Sequence, residues 1–178
     1  MSDKHDIGCS LAIKGRVLSF IDGAHNYRYL ENGCILIEDG YISAVGDSST
    51  LVLPDQIRTI DYGDDLILPG FVDAHVHYPQ MNVVASYGAK LIDWLNNFTF
   101  PEEAKFSDAS YAKMVAKFFF EETLRNGFTT SGVFCTVHPQ SVEAFFAEAE
   151  RLNLRMIAGK VLMDRHAPNN LLDTAQTA

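Results

Sequence analysis

The chain has 178 residues, 47% of them apolar, with a mean hydropathy near zero, which is enough to bury a core and unlike a disordered sequence. Its 14 basic and 23 acidic residues give a net charge of −9, which argues against nucleic-acid binding as a main task, because affinity for a phosphate backbone is built from Lys and Arg. No apolar run approaches the ~18 residues of a membrane helix, the opening Met1-Ser-Asp-Lys-His-Asp6 lacks the apolar centre of a signal peptide, and Cys9, Cys34 and Cys135 stand at scattered spacings, so a cytoplasmic protein with reduced thiols and no membrane association is expected.

Residues 9–62 read as short strands. Leu11, Ile13, Val17, Leu18 and Phe20 make the first; Gly33–Glu38 and Tyr41–Gly46 flank Asp39-Gly40, a pair that favours a tight hairpin because both positions accept positive φ. This predicts an antiparallel meander. Asp47–Thr50 reads as a turn, Pro54 sits in a connector, and Arg58–Tyr62 is a further strand ended by Gly63-Asp64-Asp65. About 60 residues of strands without a helix leave an open sheet face, so a partner sheet from elsewhere is expected.

From Leu66 the rhythm changes. Pro69-Gly70 breaks into a strand in which Phe71, Asp73, His75 and His77 share one face, because side chains alternate with period two. Two same-face histidines one residue apart can present ring nitrogens to one Zn or Fe ion; a polar strand face with two solvated imidazoles is the plainer alternative. A short helix is expected around Ala89–Leu95, followed by a loop containing Pro101, where the adjacent Glu102 and Glu103 read as solvated charges. Ser107 is the expected N-cap of a helix with Tyr111, Met114, Val115, Phe118 and Phe119 inward, ended by Asn126-Gly127. Phe128–Val137 reads as a strand. Ser141 is the expected cap of a second helix with Val142, Phe145, Phe146, Ala149 and Leu152 inward, and Leu154–Met163 as a third strand. Such alternation predicts parallel strands joined by crossover helices, an α/β fold.

The Asp-Gly hairpin, the run Leu68-Pro-Gly-Phe-Val-Asp-Ala-His-Val-His77 and the βα rhythm together resemble the amidohydrolase superfamily. Within it, His75-Val-His-Tyr-Pro-Gln80, Trp94-Leu-Asn-Asn-Phe-Thr-Phe-Pro-Glu102, Asn126-Gly-Phe-Thr-Thr130 and Gly159-Lys-Val-Leu-Met-Asp-Arg165 are similar to the guanine deaminases, particularly the bacterial type. The resemblance implies a (β/α)8 TIM barrel carrying a metal site at its mouth. It also implies domains at 1–67, part of a small β-sandwich, and at 68–178, the first three βα units of the barrel.

The implied activity is zinc-dependent hydrolysis of guanine to xanthine and ammonia, with a purine as the small-molecule partner and a homo-oligomer at full length. His75 and His77 would be two ligands of one zinc ion. Gln80 would hydrogen-bond the purine, its amide supplying a donor and an acceptor. Trp94 would either wall the pocket or pack the short helix, and Asp73 would either orient a ligand or make a structural hydrogen bond. His138 and Lys160 are expected to be structural, as a loop hydrogen-bonding group and an ion-pair partner. A (β/α)8 barrel takes ~250 residues, and the family's catalytic glutamate, metal-binding aspartate and remaining histidines have no counterpart here, so an N-terminal portion, inactive by itself, is expected. The alternatives are another metal-dependent amidohydrolase acting on a heterocycle, or a non-catalytic fragment that binds other chains through unpaired strand edges.

Overall fold

The computed structural model describes residues 10–23 and 25–177, so Cys9 lies outside the described residues. The chain divides between Pro69 and Gly70 into two compact units.

The first unit is a sheet of four strands, β1 (Leu11–Phe20), β2 (Tyr27–Glu38), β3 (Tyr41–Asp47) and β4 (Arg58–Ile67), in the order β3-β2-β1-β4. Asp39 (φ 52°) and Gly40 (φ 80°) make the two-residue turn between β2 and β3, and Glu38 pairs with Tyr41. The meander is correct for β1–β3 only, because β4 lies parallel to β1. The connector 48–57 carries the chain back across the sheet, as a parallel pairing requires. β4 also runs through Gly63-Asp64-Asp65, expected to end it: Lys14 pairs with Asp61 and Arg16 with Leu66, so the intervening residues bulge outward at Gly63 (φ 58°). Ala12, Val17, Cys34 and Leu36 are buried. Gly33 is needed beside them, since a Cβ there would meet the Val17 side chain at 2.5 Å.

The second unit is a parallel sheet of β5 (Phe71–His77), β6 (Phe128–Phe134) and β7 (Arg155–Gly159), in chain order. Between β5 and β6 come a 3-10 turn at Tyr78–Val83, then an irregular helical run with α1 (Leu91–Trp94) and α2 (Phe100–Glu103), then the long α3 (Ala109–Arg125); α4 (Pro139–Arg151) joins β6 to β7. The core lies among α3, α4, the 3-10 turn and one sheet face, and is built on Tyr78, Phe106, Phe119, Phe120, Phe145 and Val133. Burial pushes the Cys135 thiol in this core up to about 12, so it is protonated and unreactive at neutral pH.

Several boundaries differ from expectation. Asp108, not Ser107, caps α3, its carboxylate accepting from the Ser110 amide at 2.7 Å. The buried stripe of α3 is Ala112, Val115, Ala116, Phe119 and Phe120, leaving Met114 and Phe118 exposed. Two alanines one turn apart let α3 approach its neighbours closely, and this rotates the helix away from the bulkier stripe. Helix α4 starts at Pro139, whose fixed φ and missing N–H suit a first turn. Ser141 is therefore inside the helix, its buried hydroxyl donating to the His138 carbonyl (2.7 Å) and accepting from the Thr136 amide (3.0 Å). Phe146, expected inward, is 41% exposed. Strands β6 and β7 end earlier than Val137 and Met163, with isolated bonds from Cys135 N to Gly159 O and from Val161 N to Thr136 O continuing the contact.

Candidate functional site

Strand β5 delivers two imidazoles side by side. The His75 and His77 rings lie 5.3 Å apart between centroids and are tilted by 52°. Both pack on Phe134 of the adjacent strand: His77 stacks at 4.7 Å and 12°, and His75 sits at 4.8 Å. His77 is half-buried; burial, and then the neighbouring charge of His75, lower its pKa, so the ring is neutral near pH 7 with a lone pair free. Asp73 does not reach the rings in its hydrogen bonding; its carboxylate accepts from the His75 backbone amide at 3.1 Å.

Where β5 ends, the 3-10 turn Tyr78–Val83 begins, with Pro79 in its first turn, and carries Gln80. His75, His77, Gln80, Val83 and Trp94 line one cleft of about 470 Å³. Trp94 lines the cleft, and it packs so tightly that a Cβ at Gly88 would meet its Cβ at 2.5 Å. The expected ligand and purine-site residues His75, His77, Gln80 and Trp94 thus line one concavity.

Behind the cleft lie two residues that sequence reasoning misplaced. Glu102 and Glu103 are only 5% and 6% exposed, not solvated charges on a loop. They belong to α2, and each holds an amide of the 3-10 turn: Gln80 Nε2 donates to Glu103 Oε1 at 3.1 Å, and Asn82 Nδ2 to Glu102 Oε1 at 2.9 Å. Glu102 also accepts from the Tyr111 hydroxyl and pairs with Lys105 Nζ at 2.5 Å. The available signal was the match of two carboxylates to two alternate amides, Gln80 and Asn82.

The two carboxyls differ electrostatically. Burial would raise Glu102, but donors from Lys105, Tyr111 and Asn82 outweigh it and hold it below the usual range. Glu103 has only Gln80, so burial prevails and its pKa is raised. Glu102→Ala is expected to cost roughly 2 kcal/mol, because Asn82 and Tyr111 lose their acceptor. A carboxyl depressed on folding stabilises above its unfolded value of 4.5 and loses that contribution as pH falls through the folded value. Urea melts should therefore show the full gap between wild type and variant at about pH 6 and a closing gap in acid; a gap independent of pH would contradict this role.

His138, outside the cleft, precedes α4 with its Nε2 buried and without a partner among the described residues. Lys160 Nζ lies 2.5 Å from Asp173 in an ion pair that is largely buried.

The sequence profile of the amidohydrolase family matches residues 66–177, the segment that carries the histidine strand and the cleft. The chain belongs to the amidohydrolase family. Among sequence relatives of this amidohydrolase, the guanine deaminase of Escherichia coli (strain K12) is 50% identical over 153 residues, 85% of this chain and 35% of the relative. The solved E. coli guanine deaminase superposes with a TM-score of 0.85 at 43% identity, covering 94% of this chain and 40% of that one. A guanine deaminase from C. acetobutylicum, solved with guanine bound in its active site, gives 0.80 at 31% identity over 94% and 40% of the two chains. The amidohydrolase described here spans between a third and two fifths of the length of these relatives.

Among the described residues no group of three or more His, Cys, Asp and Glu side chains is placed to hold a metal ion. The histidine pair nonetheless suits two positions on one ion: with Zn–N bonds of about 2.0–2.1 Å, imidazoles at neighbouring tetrahedral vertices stand roughly 5 Å apart. No helix among the described residues is long and apolar enough to cross a membrane.

Proposed function

We propose that this chain supplies two metal ligands and the purine-holding amide of a zinc-dependent guanine deaminase, which converts guanine and water to xanthine and ammonia. The observation that carries this reading is the convergence of His75, His77, Gln80 and Trp94 on one cleft. Members of the family typically use a metal, and two neutral imidazoles are a donor set suited to zinc. When bound, zinc supplies Lewis-acid polarisation and activation of water. The chain's own residues bind and orient: the histidines would fix the position of the ion, Gln80 offers its carboxamide to a base edge, and Trp94 supplies an apolar wall for a planar ring. In the same reading the three βα units open a (β/α)8 barrel, residues 1–67 form part of a β-sandwich, and the protein is a cytoplasmic homo-oligomer.

Trp94 is the single tryptophan of the chain, so its fluorescence reports on the cleft directly. Guanine added to the zinc-loaded protein is expected to quench it, and Gln80→Ala to weaken the binding by about 1–3 kcal/mol, since a buried polar edge of the base loses its partner. Affinity for guanine that is the same in both proteins would remove Gln80 from the site.

A further inference from the structure

The hydrogen bond to Glu103 is the only one that the Gln80 side chain makes among the described residues. A carboxamide is nearly symmetrical in shape but opposite in polarity at its two ends, so an unheld glutamine offers a ligand either a carbonyl oxygen or an N–H. An ionised carboxylate only accepts, and can therefore bond only the nitrogen end. From this geometry we propose that Glu103 is a positioning residue that fixes the Gln80 carboxamide with its nitrogen toward α2 and its carbonyl oxygen toward the cleft, and so determines which polarity of purine edge the cleft accepts. The inference rests on the reading of the cleft as a purine site and deepens it.

Neighbouring contacts support this assignment. Gln80 and Asn82 lie in the same short 3-10 turn, and Asn82 is clasped by Glu102, itself held by Lys105 and Tyr111. This second clasp anchors the turn against α2 independently of Glu103. The fold at this point thus does not need a carboxylate at 103 to hold the turn in place. Glu103 is buried with a single donor, and burial raises its pKa, so the charged form of this group costs stability where it stands. Replacing a group of purely structural use should weaken the fold; replacing this one with the isosteric amide should not.

Glu103→Gln is the variant of choice, because a glutamine at 103 either accepts or donates and so allows Gln80 to turn over. The probes are guanine and isoguanine, which have the same shape with the oxo and amino groups exchanged. In the zinc-loaded protein, E103Q is expected to leave the melting temperature unchanged or higher, to weaken guanine binding about 3- to 10-fold, and to reduce the preference for guanine over isoguanine at least about 3-fold. In a Gln80→Ala background the same substitution should change guanine affinity less than about 2-fold, since a residue that acts through Gln80 has nothing left to act on. Equal losses in both backgrounds, or an unchanged guanine-to-isoguanine preference, would overturn the proposal.

A further measurement needs no guanine. The side-chain amide resonances of Gln80, assigned by their absence in Q80A, should show one strongly downfield proton from the bond to Glu103. Their coincidence with solvent-exposed glutamine amides would also overturn the proposal. If wild type binds no guanine, the purine reading fails, and the amide resonances alone decide whether Glu103 holds Gln80.

Discussion

Phe145→Ala is expected to destabilise the protein by about 3–5 kcal/mol, the range for emptying a buried aromatic site. The Phe145 ring is fully buried, with the rings of Phe120 at 4.9 Å, Tyr78 at 5.3 Å and Phe119 at 6.0 Å. It joins α3 and α4 to the start of the 3-10 turn, where the Tyr78 hydroxyl donates to the Ser141 carbonyl at 2.6 Å. Neighbours on two separate elements cannot both move inward, so most of the cavity should persist. Thermal unfolding should shift by roughly 10 °C or more, given about 4–8 °C per kcal/mol for a domain of this order of size. Phe146→Ala is the control: its ring is 41% exposed, and less than about 1 kcal/mol is expected. Because Tyr78 leads directly into Gln80, F145A should also loosen the cleft. Similar losses in F145A and F146A would mean that the core is not centred where Phe145 places it.

The second large effect concerns metal. Zinc is expected to bind at one site, weakly, because two imidazoles fill half of a tetrahedral shell. His75→Ala and His77→Ala should each lower the affinity by at least the 10- to 100-fold that loss of a mere supporting group costs. The site is prepared for this at neutral pH, since burial lowers the pKa of His77 and favours its neutral, ligating form. Titration of the protein against a chromophoric zinc chelator measures the effect directly. Nanomolar affinity that survives both substitutions would place the metal elsewhere. Binding should also weaken as pH falls, because protons compete for the same ring nitrogens.

Much of what positions the site was legible locally. The Asp39-Gly40 turn, the two histidines on one strand face and the helix stop at Asn126-Gly127 each depend on backbone rules acting over a few residues, and the structure shows them there. The parallel direction of β5, β6 and β7 followed from the βα rhythm, because strands joined by crossover helices run the same way. The convergence on one cleft was legible for His75, His77 and Gln80, which lie within six residues of each other.

The sequence alone did not determine features with distant partners. Which face of α3 turns inward depended on Ala112 and Ala116 meeting a neighbour closely, in a helix with large apolar groups on more than one side. The parallel placement of β4 depended on β1, more than forty residues earlier in the chain. Adjacent glutamates after a proline read as solvated by any local rule, and only the tertiary fold brings Gln80 and Asn82 onto Glu103 and Glu102. A charge is buried when its partners arrive from elsewhere in the chain, and local composition carries no record of that arrival.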